Sequence, residues 1–227
     1  MHKLDRTISD PPACLNHYDY HTQNWNDLGG SGCKRAVRIA LVQMQGRPGV
    51  TIPEANEYGL RCAYCEGPIF HEGHIEHFRR KNPDHFPELT FDWNNLFLAC
   101  GSREHCGHYK DRPSAQAYEP NHLIKPDTHN PEHYLYFHSS GRVRPRADLS
   151  ENDTRCATET IRVFGLDSCT LSGSRSRALT TYKNKVLDEL NELASWSEED
   201  REAYLSNEIE ATCWEPYATT IKHFLQK

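Results

Sequence analysis

The chain has 227 residues, 37% hydrophobic and 26% charged, with a formal net charge of −6. This describes one domain, or a core with an appended helical region, large enough to bury a sizeable core without staples. No apolar run approaches the roughly 18 residues of a membrane span, and the start MHKLDRTISDPPACLNH lacks a secretion-signal core, so a cytoplasmic protein is expected. The charge also argues against the broad basic footprint of an autonomous nucleic-acid binder. Residues 61–113 hold 7 Lys/Arg against 8 Asp/Glu, and those from Glu151 onward hold 9 against 14.

In chain order, residues 1–32 are polar and aromatic and end in the break GGSG. Val37, Ile39, Ala40, Leu41 and Met44 give 34–44 one apolar helical face, which GRPGVTIP then breaks. Within 61–113, GPIF reads as a short strand and DWNNLFLAC as a helix; HYLYFHSS reads as a strand that turns at Gly141. Residues 154–165 read as a helix and LDSCTLS as a link. Leu179, Tyr182, Val186, Leu190 and Leu193 then recur at helical spacing over Arg175–Leu193. After SWSEED, where Ser197 and Asp200 resemble a capping box, a last helix runs through Tyr204, Leu205 and Ile209. The expected organisation is an N-terminal helical and loop region (1–60), a Cys- and His-rich core (61–113) and a mainly helical C-terminal region (114–227). The acidic tail is either a solvated face or a docking surface for a partner.

Nine cysteines is an odd number, and close-set cysteines in a reducing compartment are metal ligands more often than bridges. Cys62 and Cys65, with Cys100 and Cys106, form two pairs flanking about 35 residues, enough to supply four thiolates to one structural zinc. The five-residue gap of the second pair departs from the usual two. The alternative is a redox pair at Cys62 and Cys65. Cys14, Cys33, Cys156, Cys169 and Cys213 have no such spacing and are expected as free thiols. Six of the 14 histidines (His71, His74, His77, His85, His105 and His108) fall within the same stretch.

Between the cysteine pairs lie HIEHF and WNNL, and after them CGHYK. An acidic residue before a His, an Asn-Leu, and a Cys with a Lys four further on, all inside a CxxC frame, resemble the HNH nuclease finger. MHKLDR, CAYCE, HIEHFRRKN, LTFDWNNLFLAC and HCGHYKD together resemble the Septu-type, retron-associated HNH endonucleases most closely, strongly over residues 61–112 and more loosely outside them. The resemblance implies an α+β fold: an HNH ββα-metal finger with a four-cysteine zinc site, embedded in a mainly α-helical chain. It also implies an antiphage nuclease acting with an ABC/SMC-like ATPase (PtuA-like), in some systems with a retron reverse transcriptase and its msDNA. No G-x-x-x-x-G-K-[ST] occurs, so this chain supplies no P-loop.

In such a finger His77 is the general base and Glu76 a hard ligand for catalytic Mg²⁺. Asn95 orients His77 or its loop, or ligates metal. His108 is the second metal ligand, displaced by one residue from the family position, where this chain has Gly107; His74 is its rival. Arg79, Arg80 and Lys110 contact phosphates. Trp93 and Phe97 read as core residues beneath the finger. Adjacent residues of a strand face opposite ways, so Glu76 and His77 can share one site only if the chain bends there. The alternative to an enzyme is a non-catalytic zinc module that binds nucleic acid or bridges proteins.

Overall fold

The computed structural model describes residues 1–49, 59–69 and 73–226. About half of these are helical, with two small antiparallel sheets, so the chain is α+β. The end of GRPGVTIP, Phe70 of GPIF and His71 lie outside the described residues. Among the described residues no helix is long and apolar enough to cross a membrane.

Helix α1 (Cys33–Gln45) follows Gly32, whose φ of 75° suits glycine, and buries Val37, Leu41 and Met44. Its C-terminal end is tied to the first sheet by one buried amide. Gln45 Nε2 donates to the Leu98 carbonyl (3.1 Å), and its Oε1 accepts from Leu98 N (2.7 Å). That sheet pairs β1 (His74–His77) with β2 (Leu96–Ala99), with Glu76 opposite Phe97 and His77 opposite Leu96. The stretch DWNNLFLAC is therefore not a helix. Asp92 accepts from Asn94 N to cap a single 3₁₀ turn, and Leu96–Ala99, buried at every position, runs as a strand. A buried apolar run of four has no period by which helix and strand can be told apart.

Helix α2 (Cys106–Lys110) follows, held by the Cys106 N–H donating to the Phe164 carbonyl (2.7 Å). A second sheet pairs β3 (Leu135–Phe137) with β4 (Val143–Pro145) around Gly141 (φ 82°). Helix α3 (Glu151–Val163) is capped by Ser150. Helix α4 (Cys169–Lys185) begins inside the supposed link, because the Ser168 side chain accepts from Leu171 N. The helix read to Leu193 instead breaks at Val186 and resumes as α5 (Leu187–Glu192). Ser197 caps α6 (Glu198–Ala211), and α7 (Ala218–Leu225), which periodicity did not indicate, closes the fold.

The main core runs from Leu4 and Leu28 through Phe97 and Leu98 to Phe137 and Leu171, crossing all three sequence regions. A second cluster (Leu179, Tyr182, Val186, Ile221 and Leu225) joins α4 to α7. Arg6 ties the N-terminal segment to β2. Its guanidinium donates to the carbonyls of Trp93 (2.9 Å), Asn94 (3.2 Å) and Leu96 (2.9 Å), pairs with Asp127, and lies over the Phe97 ring. Trp93 and Phe97 are indeed buried. Cys14 and Cys33 are not free thiols: they form a disulfide joining the N-terminal segment to the start of α1. Nothing in their spacing marks such a pair, since the fold alone brings them together. Cys156, Cys169 and Cys213 are free.

Candidate active site

The four cysteines of the two pairs converge. Their Sγ atoms all lie within 4.8 Å of one another, with Cys62–Cys106 at 3.6 Å and Cys65–Cys100 at 3.9 Å. A tetrahedral Zn–S₄ centre has edges of about 3.8 Å, so the group could hold a metal such as zinc. The first pair sits on a tight turn: Glu66 N donates to the Cys62 carbonyl (3.1 Å), Cys62 N to the Gly67 carbonyl (2.9 Å), and Gly67 N to Cys65 Sγ (3.3 Å). Left to one another, the thiols divide. Burial opposes ionisation of Cys62, yet hydrogen bonds from the other three hold it well below the usual thiol range, whereas its contact with Cys100 pushes Cys65 well up. A divalent cation relieves that conflict by stabilising all four thiolates. The five-residue gap of the second pair is filled by the turn from β2 to α2, where Cys106 takes a φ of 64°.

This cluster joins the turn at Cys62–Cys65 to the end of β2 and the start of α2; β1, β2's partner, borders a cavity of about 740 Å³. His74, Ile75, Glu76 and His77 all line it, together with His108. No bend within β1 is needed. Among the described residues β1 pairs only with β2. The cavity therefore wraps its free edge and meets side chains from both faces of the strand.

His77 is 4% exposed, and its Nε2–H donates to the Thr90 carbonyl (2.9 Å). That bond fixes the neutral tautomer and leaves Nδ1 as the nitrogen open to the cavity. Trp25, another wall of the cavity, meets the ring edge-on at 4.5 Å between centroids. Burial, then the Lys81 ammonium, lowers the His77 pKa to about 4, so the ring is uncharged at neutral pH.

Glu76 accepts from His74 Nε2 (3.0 Å), and its Oε1 lies 2.9 Å from Lys110 Nζ. Burial opposes its ionisation, but Lys110 and His74 outweigh burial and hold its pKa at about 2. The rings of His74 and His108 stack at 4.0 Å, which puts both rival ligands beside the carboxylate. His74 Nδ1 is buried without a hydrogen-bond partner. Gly107 makes the arrangement possible: a Cβ there would lie 2.2 Å from Glu76 Oε2. The position where a ligand was expected must stay bare because Glu76 fills it.

No protein-family model matches the chain, and no curated protein is similar to it at a significant level.

The remaining sequence-predicted residues lie away from the cavity's open face. Asn95 is committed to backbone: its Oδ1 accepts from Arg79 N (2.7 Å), and its Nδ2 donates to the carbonyls of Arg79 (3.0 Å) and Leu89 (3.2 Å). It holds the loop that follows His77 and reaches neither the ring nor a metal position. Lys110 is fully buried and donates to the His77 carbonyl (3.0 Å) and Asp111 Oδ1 (2.7 Å), so it braces the strand from inside the fold. Arg79 donates to Asn121 Oδ1 (2.7 Å). Arg80 donates to Asp111 Oδ1 (3.0 Å) and the Lys110 carbonyl. The cations that do line the cavity are Lys34, Arg35 and Arg38 of α1, and Lys81. Their signal was present in KRAVR, where the three basic residues share one face that adjoins the Val37 and Leu41 stripe.

Proposed function

We propose that this chain is a metal-dependent endonuclease of the HNH type, the nuclease subunit of a Septu-like antiphage system, that hydrolyses phosphodiester bonds of DNA or RNA. The observation that carries the reading is the His77 ring: neutral, pinned through Nε2 to the Thr90 carbonyl, and open through Nδ1 to a cavity that it shares with Glu76, His74 and His108. A buried imidazole fixed in one tautomer beside a carboxylate and two further imidazoles is the arrangement of a general base beside a cation site, and is more than packing requires.

The donor set fits a divalent cation, since His74, whose Nδ1 is buried without a partner, and the ionised Glu76 line the same cavity wall as His108. Glu76 with His108 or His74 would hold it. Imidazole donors suit Mn²⁺, Ni²⁺ or Zn²⁺ at least as well as Mg²⁺. When bound, such an ion stabilises charge on the leaving oxygen. His77 Nδ1 takes a proton from water, the water oxygen bonds to phosphorus, and the P–O bond on the opposite side breaks, its electrons going to the leaving oxygen. Lys110 holds the His77 carbonyl and the Glu76 carboxylate in register with each other.

The resemblance supports a partner ATPase of the ABC/SMC-like class, with a retron reverse transcriptase and its DNA in some systems. The acidic helices of the tail, α5 and α6, are the proposed docking surface: α6 carries Glu198, Glu199 and Asp200 in its first turn and buries no residue. The test is metal-dependent cleavage of plasmid DNA and total cellular RNA by wild type and His77→Ala, each with and without the ATPase. The expected result is cleavage lowered by about 10²- to 10⁴-fold with binding retained. Equal cleavage by the two proteins would refute the assignment. Binding without cleavage under every metal would favour the zinc-module reading.

A further inference from the structure

Of the three cations expected to hold substrate, Lys110 is buried and Arg79 and Arg80 are bonded to Asn121 and Asp111; the chain is negative overall, yet the cavity at His77 is not. Among the described residues, its wall carries four cations, Lys34, Arg35, Arg38 and Lys81, against two carboxylates, Glu76 and Asp111. Both carboxylates are already paired with Lys110, and Asp111 also with Arg80. Among the described residues Lys34, Arg35 and Lys81 have no carboxylate partner, and Arg38 reaches only the Gly73 carbonyl (2.8 Å). Among the described residues, the cavity wall therefore carries an excess of positive charge.

Three of these cations come from α1, outside the HNH-like segment. Lys34 and Arg38 are one turn apart, and Arg35 and Arg38 three residues apart, so all three lie on one face. The adjoining stripe of Val37, Leu41 and Met44 is buried. Lys34 and Arg38 are separated by about 6 Å along the axis, close to one phosphate-to-phosphate step of an extended strand. The helix is fixed at both ends, by Cys33 to Cys14 and by Gln45 to Leu98. The backbone that carries its cations is thus held in place before any ligand arrives, which lowers the ordering cost of binding.

We propose that the basic edge of α1 (Lys34, Arg35 and Arg38), with Lys81, is the phosphate-backbone clamp that holds a nucleic-acid strand against His77. The assignment rests on the nuclease reading for its purpose, but it can fail separately. It locates sequence-independent affinity on an N-terminal helix, in a molecule whose net charge otherwise repels a polyanion.

The test measures binding of a fluorescent single-stranded oligodeoxynucleotide, and of its duplex, to the full chain carrying His77→Ala, over a range of salt. Adding Lys34→Ala and Arg35→Ala should weaken binding about tenfold or more. It should also reduce the slope of log K against log salt by about 0.7 to 0.9 for each phosphate no longer neutralised. Arg79→Ala, which removes a cation bonded to Asn121, should leave the slope unchanged. In the chain with His77 intact, the double variant should raise KM and leave kcat within about twofold, since the clamp binds ground and transition states alike. Both positions are exposed on the helix, and circular dichroism checks that the fold is retained. Unchanged affinity and slope in the double variant would overturn the clamp, as would a parent chain that binds neither oligonucleotide. A parent that binds, shows a shallower slope with the lysine and arginine changes, but never cleaves would uphold the clamp and refute the nuclease.

Discussion

Gly107→Ala is a one-methyl perturbation aimed at the centre of the site. The new Cβ would lie 2.2 Å from Glu76 Oε2, 2.4 Å from its Cδ and 2.9 Å from its Cγ. The carboxylate would have to retreat by roughly 1 Å to reach ordinary contact. It has nowhere to go without leaving Lys110 Nζ, now at 2.9 Å, and His74 Nε2, at 3.0 Å. Removing one partner of a buried ion pair costs about 3–5 kcal/mol. Lys110 keeps Asp111 and the His77 carbonyl, and alanine is favoured over glycine within a helix by about 1 kcal/mol. The net destabilisation should therefore be about 2–3 kcal/mol. Urea unfolding of Gly107→Ala, Glu76→Ala and the double variant, with zinc present throughout, measures it. In the Glu76→Ala background the methyl finds room, and the same substitution should be neutral or slightly stabilising. A similar cost in both backgrounds, or a Gly107→Ala chain within about 0.5 kcal/mol of wild type, would refute the account of why this position is bare.

Three further outcomes follow from the same structure. Stripping metal from the four-cysteine cluster with a chelator should unfold the chain around β1, β2 and α2, because structural zinc contributes roughly 10–16 kcal/mol, as much as a whole domain's stability. An unchanged thermal melt after metal removal has been verified would contradict this. Reducing Cys14–Cys33, or replacing both with alanine, should cost about 3 kcal/mol, the loop entropy of residues 19 apart; denaturant midpoints with and without reductant would show it, and identical midpoints would count against the bridge. His223, buried against Phe137 N (3.0 Å), has its pKa lowered to about 4, chiefly by burial. The unfolded chain therefore takes up the proton first as pH falls. The His223 contribution is constant above about pH 6.5 and is lost between there and pH 4, by about 2 kcal/mol, a slope that His223→Asn should flatten; an equal slope in the variant would refute it.

Helix α1 and the convergence of the four cysteines were legible because each rests on local spacing: one apolar stripe in the first case, two close pairs in the second. Strand β2 was not, since Leu-Phe-Leu-Ala is apolar throughout and only its pairing with β1 decides its form. Arg79, Arg80 and Lys110 adjoin the motif in sequence, but Asn121 and Asp111 decide where they point, and no local pattern announces those partners. The basic face of KRAVR was visible as a face. What it meets is set by how α1 lies against β2, which the sequence of α1 does not encode.

The three carbonyls gripped by Arg6 bear on how the chain is made. Residue 6 leaves the ribosome long before residues 93 to 96 exist, and Asp127, its counter-ion, comes later still. The N-terminal segment must therefore remain uncommitted for most of translation and dock only when the cysteine-bound unit has closed. Contacts this distant in sequence slow folding. They also mean that the metal-binding segment, cut out on its own, would leave the backbone at the start of β2 without the side chain that satisfies it, so it is not a cassette that can be moved to another protein.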